Sequence, residues 1–174
     1  MQTGRTLFSV NLEVTRRCNL RCDFCDYWRE TGREERLAVL LIEKTVVYDL
    51  LEQMTDPKET IEQYTTKIDL GWLQPPGGAV RATLASGDRD VLAGDVEELA
   101  SRYGAVAADW ESGAIARVAS RNGKRLIILR GVTDLVGRDG GEAYGNVALF
   151  EKNTAVVMKK LLDALPQWLA GAGA

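Results

Sequence analysis

At 174 residues the chain is long enough for one domain that buries roughly 70% of its unfolded surface, and too short for two domains of ordinary size. Hydrophobic residues make up 45% and charged residues 27%, with a formal net charge of −3; that is an ordinary folded-protein balance, without the basic stripe that nucleic-acid binding requires. No apolar run approaches the ~20 residues of a membrane helix, and the absence of histidine removes Ser-His-Asp and Cys-His nucleophilic machinery and every His-ligated zinc site.

The start, "MQTGRTLFSV", has no long apolar segment and no small-residue cleavage site, so no secretory signal is expected. Three clustered cysteines, an odd number, argue against a secreted disulfide scaffold, and a cytoplasmic location is the expectation. Thr6 to Val14 alternates as a strand. "RRCNLRCDFCDYW" follows from Arg16 to Trp28, and then "RETGREER" reads as a charged linker. "AVLLIEKTVV", Ala38 to Val47, is continuous enough for a strand buried on both faces.

Residues 52 to 79 are less regular, with helix-like polar spacing early and Pro75, Pro76, Gly77 and Gly78 closing the stretch. Beyond Ala79 the order becomes clear. "AVRATLAS" is a strand, and "GDVEELASRYG" is a helix with Asp95 as N-cap, Glu98 placed for a capping box and Gly104 just past its end. "AVAAD" is a short strand. "ESGAIARVASRNG" is a helix with Ile115, Val118 and Ala119 on one face, stopped at Gly123, and "RLIILRGVTD" is a buried strand. A last helix is expected from about Ala143 to Leu165, with Val147, Phe150, Val157, Leu161 and Leu165 on one side and Pro166 at its end.

Strands alternating with helices predict an α/β fold with βαβ units on a parallel sheet. Ligands in such sheets bind beyond the carboxyl ends of strands, which directs attention to three loops: Ser86 to Val91, Asp109 to Glu111 and Thr133 to Val136.

Two motifs carry chemistry. Cys18, Cys22 and Cys25 stand in C-x3-C-x2-C spacing after a strand. A structural zinc site wants four ligands, whereas three thiolates on a four-iron cluster leave one iron open to a small molecule. With Phe24 before the third cysteine, "VNLEVTRRCNLRCDFCDYW" resembles the cluster loop of the radical S-adenosylmethionine family. That resemblance implies a 4Fe-4S cluster on the three cysteines and S-adenosylmethionine as cofactor, and it ends near Glu30.

The second pattern is longer. "ATLASGDRDV", "AVAADWESGAIARVASRNGKRLIILRGVTDLVG" and a long amphipathic helix resemble the carboxyl-terminal half of the purine nucleoside phosphorylase superfamily, and within it the 5'-methylthioadenosine/S-adenosylhomocysteine nucleosidases. The resemblance implies a partial three-layer α/β/α fold on a mixed, largely parallel sheet, and cleavage of the N-ribosyl bond of an adenine nucleoside without a cofactor. It assigns Glu111 to the ribose hydroxyls, Trp110 to packing on the sugar, and Asp134 to protonating N7 of the leaving purine. Thr133 falls at a neighbouring hydroxyl position, Ser86, Gly87 and Asp88 in the "SGD" loop, and Val91 near the base. Asp90 departs from the family's aromatic or apolar residue. The family's first strands, its glycine-rich anion loop and the acid that orients the attacking water precede the region matched. Each carboxylate also has an ordinary reading, Glu111 as a helix-start residue and Asp134 as a turn residue.

The expected organisation is therefore a radical-family-like strand and cysteine loop over residues 1–36, a nucleosidase-like domain over 37–169 and a flexible tail over 170–174. Expected partners are a small-molecule nucleoside and further copies of the chain, with neither nucleic acid nor membrane. The alternatives are an iron-sulfur radical protein and a non-catalytic nucleoside-binding remnant.

Overall fold

The computed structural model of the chain describes residues 7–11, 39–50, 56–137 and 140–173. In chain order the elements are β1 (Leu7–Asn11), β2 (Val39–Val47), α1 (Pro57–Tyr64), β3 (Thr66–Lys67), β4 (Val80–Ser86), α2 (Asp95–Tyr103), β5 (Ala105–Asp109) and α3 (Ser112–Arg121). They continue with β6 (Leu126–Gly131), β7 (Val136–Gly137), β8 (Gly140–Gly141) and α4 (Val147–Gly171).

The main sheet has the order β1-β6-β2-β4-β5 with β3 paired to β2, and β7 and β8 form a separate two-stranded ribbon. β1 and β6 run parallel, as do β2 with β4 and β4 with β5. β6 runs antiparallel to β2 from Val39↔Gly131 to Leu41↔Leu129, so the sheet is mixed and largely parallel. The connection from β4 to its parallel neighbour β5 carries α2, a return that a tight turn cannot make.

β6 organises the core because all six of its residues are buried. Successive side chains of a strand point to opposite faces, so Leu126 and Ile128 meet Ala116 and Ala119 of α3, and Ile127 and Leu129 meet Val157 and Leu161 of α4. Full burial of each such Leu or Ile contributes about 1.5–3 kcal/mol. A third cluster of Ala85, Val91, Leu99, Ala105, Ala108 and Val136 lies against α2 and carries the first loop after β4. The arrangement is the three-layer α/β/α fold.

Several local details differ from the sequence expectations. The irregular segment holds α1, which starts because Asp56 accepts from the Lys58 N–H at 2.7 Å and Pro57 occupies the first turn without needing a donor. Asp95 is the first residue of α2 rather than its cap; Gly94 takes the cap position, and the Asp95 carboxylate accepts from the Leu92 N–H at 2.8 Å. On α3 the face turned to the sheet runs through Ser112, Gly113, Ala116 and Ala119, with Ile115 partly buried beside it, and Val118 falls on the other side at 61% exposure.

α4 begins at Val147, where the Asn146 side chain accepts from the Leu149 N–H, and it continues through Pro166 to Gly171 instead of stopping. The proline removes the donor that would reach the carbonyl of Leu162, a residue 57% exposed, while Trp168 beyond it is buried and anchors the helix end. The expected flexible tail is thus docked through at least Ala172, which is buried in the core beside Trp168, and the Gln74 N–H donates to the Gly171 carbonyl at 3.0 Å. Residue 174 and most of 1–36 lie outside the described residues.

Gly131 ends β6 under α4, and a Cβ there would fall 2.0 Å from Cγ1 of Val157. Gly131→Ala is expected to lose about 1–3 kcal/mol in urea denaturation, and the Gly131→Ala/Val157→Ala pair to lose less than the sum of the two single changes.

Candidate functional site

β4 and β5 end side by side, with Ser86 opposite Asp109. From there the chain turns directly into α3, and a buried polar knot forms at the turn. The Ser86 hydroxyl donates to Asp109 Oδ1 at 2.7 Å, and the Gly113 N–H donates to Ser86 Oγ at 2.7 Å. The Ser112 N–H reaches both oxygens of Asp109 at 3.1 and 3.2 Å. Only a glycine fits at 113, since a Cβ would lie 2.6 Å from Val47 and 2.9 Å from Cβ of Ser86.

Arg130 completes the knot. It is fully buried on β6, its Nη2 forms an ion pair with Asp109 Oδ2, and its Nε donates to Ser112 Oγ at 3.0 Å. Its Nη2 also stands 3.9 Å from Glu111 Oε2, while the Glu111 side chain keeps 45% of its surface exposed. Glu111 occupies the N-cap position of α3 without a capping hydrogen bond from its side chain.

A cavity of about 380 Å³ opens beside this knot. Asp90 and Val91 line it from the loop after β4, Asp109 and Trp110 from the end of β5, and Asp134 from the segment after β6. Tyr144 and Phe150 close the far side, and the Tyr144 hydroxyl donates to the Val91 carbonyl at 3.0 Å, tying the two walls together. The lining is thus partly aromatic and partly carboxylate, the mixture expected of a small-molecule site.

Asp134 is 6% exposed, and Oδ1 accepts from the Ala143 N–H at 2.9 Å after the β7–β8 ribbon folds back over it. Burial is the main influence on its carboxyl and pushes its pKa above the usual carboxylate range; the nearby Glu142 adds to this, and the backbone N–H groups oppose it. On the opposite rim, Arg89 grips Asp95 through Nη1 at 2.6 Å and Nη2 at 2.9 Å. That pairing holds the Asp95 carboxyl below its ordinary value.

The three loops singled out from the sequence do meet at one place. Of the individual residues, Val91, Trp110 and Asp134 line the cavity. Ser86, Glu111 and Thr133 are adjacent to it and outside its lining: Ser86 is locked under α3, and Thr133 is buried, with its carbonyl accepting from Asn153 Nδ2 at 2.8 Å. Sequence reasoning named Asp109 only as the start of one of these loops, and missed Arg130 and Tyr144. Arg130 left a signal, since a charged residue within a continuous apolar strand must find a buried partner. Cys18, Cys22 and Cys25 lie outside the described residues. Among the described residues, no group of three or more Cys, Asp or Glu side chains is placed to hold a metal ion, and no helix is long and apolar enough to cross a membrane.

The carboxyl-terminal part of the chain has the nucleosidase/phosphorylase-type fold. The family model described as the Phosphorylase superfamily matches residues 81–166, which takes in β4 through most of α4. The Arabidopsis thaliana 5'-methylthioadenosine nucleosidase is similar at a TM-score of 0.61 and 17% identity, over 91% of this chain and 61% of that one. The Helicobacter pylori 5'-methylthioadenosine/S-adenosylhomocysteine nucleosidase, solved with butyl-thio-DADMe-Immucillin-A, is similar at a TM-score of 0.55 and 17% identity, over 75% and 60%. A futalosine hydrolase mutant of Helicobacter pylori strain 26695 gives a TM-score of 0.56 and 16% identity, over 78% and 64%. The chain therefore spans about three fifths of the length of these structures. No curated protein matches the sequence.

Removing the cation of the buried knot would leave Asp109 uncompensated. Arg130→Met is expected to cost about 3–5 kcal/mol in denaturant unfolding, and a loss below about 1 kcal/mol would show the pair to be dispensable.

Proposed function

We propose that this chain carries the base-side half of a nucleosidase site, acting on the N-ribosyl bond of an adenine nucleoside of the methylthioadenosine, adenosylhomocysteine or 5'-deoxyadenosine type. The observation that carries the reading is Asp134, a buried carboxyl at the wall of a cavity with raised proton affinity. Breaking the glycosidic bond develops positive charge on the sugar and negative charge on the base. A carboxylic acid that holds its proton more tightly than usual can deliver it to N7 and lower the cost of the leaving group.

The remaining residues take supporting roles. Trp110, 48% exposed at the cavity edge, supplies a flat wall for the sugar. Glu111, half-exposed beside the buried guanidinium of Arg130, is the candidate acceptor for ribose hydroxyls. A carboxylate at that place gains interaction energy as the ribosyl group becomes cationic. No cofactor enters this chemistry. The resemblance of the fold to 5'-methylthioadenosine nucleosidases and to futalosine hydrolase supports the reaction class, and the 5' substituent is part of the proposal.

Adenine release from methylthioadenosine, adenosylhomocysteine and 5'-deoxyadenosine tests the reading. Asp134→Asn is expected to lower turnover by about 10²–10⁴-fold, and turnover within a factor of three of wild type would rule Asp134 out as the acid. Wild-type turnover is expected to fall as pH rises through the elevated pKa of Asp134, since only the protonated form donates.

Stability follows the same sign. A carboxyl whose folded-state pKa is raised contributes fully at low pH, and its contribution is lost as pH climbs through the folded-state value. Asparagine does not titrate, so the thermal midpoint of Asp134→Asn is expected to gain on wild type as pH is raised from about 4 to about 8.

A further inference from the structure

A second cavity, of about 360 Å³, shares no lining residue with the first. Glu43 and Lys44 of β2, Lys67 of β3, and Arg81 and Thr83 of β4 line it, well before β4 ends at Ser86. β2 and β4 pair in step from Leu40↔Val80 to Ile42↔Ala82; the register then shifts, so that Lys44 rather than Glu43 stands opposite Thr83. On its other side Lys44 stands opposite Lys67. Paired residues of a sheet share a face, as do alternate residues of a strand, which puts Lys67, Lys44, Thr83 and Arg81 in one patch. The patch lies between two apolar clusters, that of Leu41 under α4 and that of Ala85 under α2.

This arrangement concentrates positive charge. Two lysines directly opposite each other on antiparallel strands have Cβ atoms about 5 Å apart and repel. Arg81 has Glu43 at 3.7 Å, but no acid pairs with Lys44 or Lys67 among the described residues. Asp69, close to Lys67 in sequence, is turned to the Gly71 N–H at 2.9 Å. Lys44 gives one N–H to the Tyr103 carbonyl at 3.1 Å, at the end of α2, and keeps its other donors. The repulsion is a consequence of the bulge, since an unshifted β2 would set Glu43 in the patch and turn Lys44 to the other face. Bulges recur beside functional sites, where they re-aim one side chain.

We propose that this second cavity binds a dianionic phosphoryl group, as inorganic phosphate or as the end of a phosphate monoester. Lys44 and Lys67 supply two positive charges and several ammonium donors on one wall. A phosphoryl group on an ester carries about −1.5 to −2 near neutral pH and offers three acceptor oxygens, which match that wall; a carboxylate brings a single charge. Glu43 sets a limit on the anion's charge, because it leaves Arg81 partly neutralised. The anion is a ligand in its own right, apart from the nucleoside cavity, and the proposal does not depend on the cleavage reading.

Amide chemical-shift titration of the whole chain at low ionic strength and slightly alkaline pH both locates and ranks the binding. Inorganic phosphate and methyl phosphate are expected to shift the amides of Lys67, Ile68 and Gly71 and to leave those of Trp110 and Gly113 in place. Dimethyl phosphate, with one charge, is expected to bind about fivefold or more weakly. Lys67→Gln is expected to weaken phosphate about tenfold and, in phosphate-free buffer, to raise the thermal midpoint by removing the repulsion. Glu43→Gln is expected to tighten binding, and Lys159→Gln, which removes a cation paired with Asp163 on α4, to change it less than about twofold. Tighter binding of methyl phosphate than of inorganic phosphate would mark a phosphorylated small molecule as the ligand, and the reverse would mark phosphate itself; either upholds the site. The proposal is overturned if no amide of the second cavity moves, if the shifts gather at Trp110 and Gly113, if dimethyl phosphate binds as tightly as methyl phosphate, or if Lys67→Gln matches Lys159→Gln.

Discussion

The buried pair of Asp109 and Arg130 is the constraint around which the rest of the site is arranged. Asp109 ends β5 and Arg130 lies near the end of β6, two strands that are not neighbours in the sheet. Charged groups removed from water on this scale are tolerable only when nearly every oxygen and N–H finds a partner. Ser86, Ser112 and the first N–H groups of α3 provide those partners, and in doing so they fix the distance between β4, β5 and the start of α3. The direction in which Trp110 and Glu111 leave the sheet follows from that clamp, because both sit between Asp109 and the first helical turn.

The cavity beside the clamp uses its carboxylates in different electrostatic settings. Asp109 is paired, Asp134 is desolvated, and Asp90 stands in the open. Environment rather than residue type separates these similar side chains. The link between Tyr144 and Val91 joins the loop that carries Asp90 to the loop that follows Asp134, so the open acid and the buried one are held to a common frame.

Much of the architecture was legible along the chain. β2, β4, β5, α3 and β6 fall close to the runs that periodicity and the glycines at 104 and 123 mark, since alternation and helix-stop chemistry are local properties. Helix ends set by tertiary contacts were not. Pro166 reads as a stop, yet the burial of Trp168 and Ala172 carries α4 past it; Val118 reads as core, yet the buried face of α3 runs through Ser112, Gly113, Ala116 and Ala119 and leaves it in solvent. At the site, Asp134, Trp110 and Val91 were recognisable from their motifs, whereas Asp109 looked like the last residue of a short strand.

What the sequence by itself determined is the class of fold, the order of its elements and the three loops where chemistry would gather. These follow from residue periodicity and from strand ends, which need no knowledge of distant partners. Only the tertiary structure decided which carboxylate is paired, which is buried and which is open: Asp109 pairs with Arg130, 21 residues further along the chain, Asp134 is buried, and the exposed Arg89 pairs with Asp95. Proton affinity is set by solvent access and by neighbouring charge, and both come into being when the ends of β4, β5 and β6 are brought around one cavity.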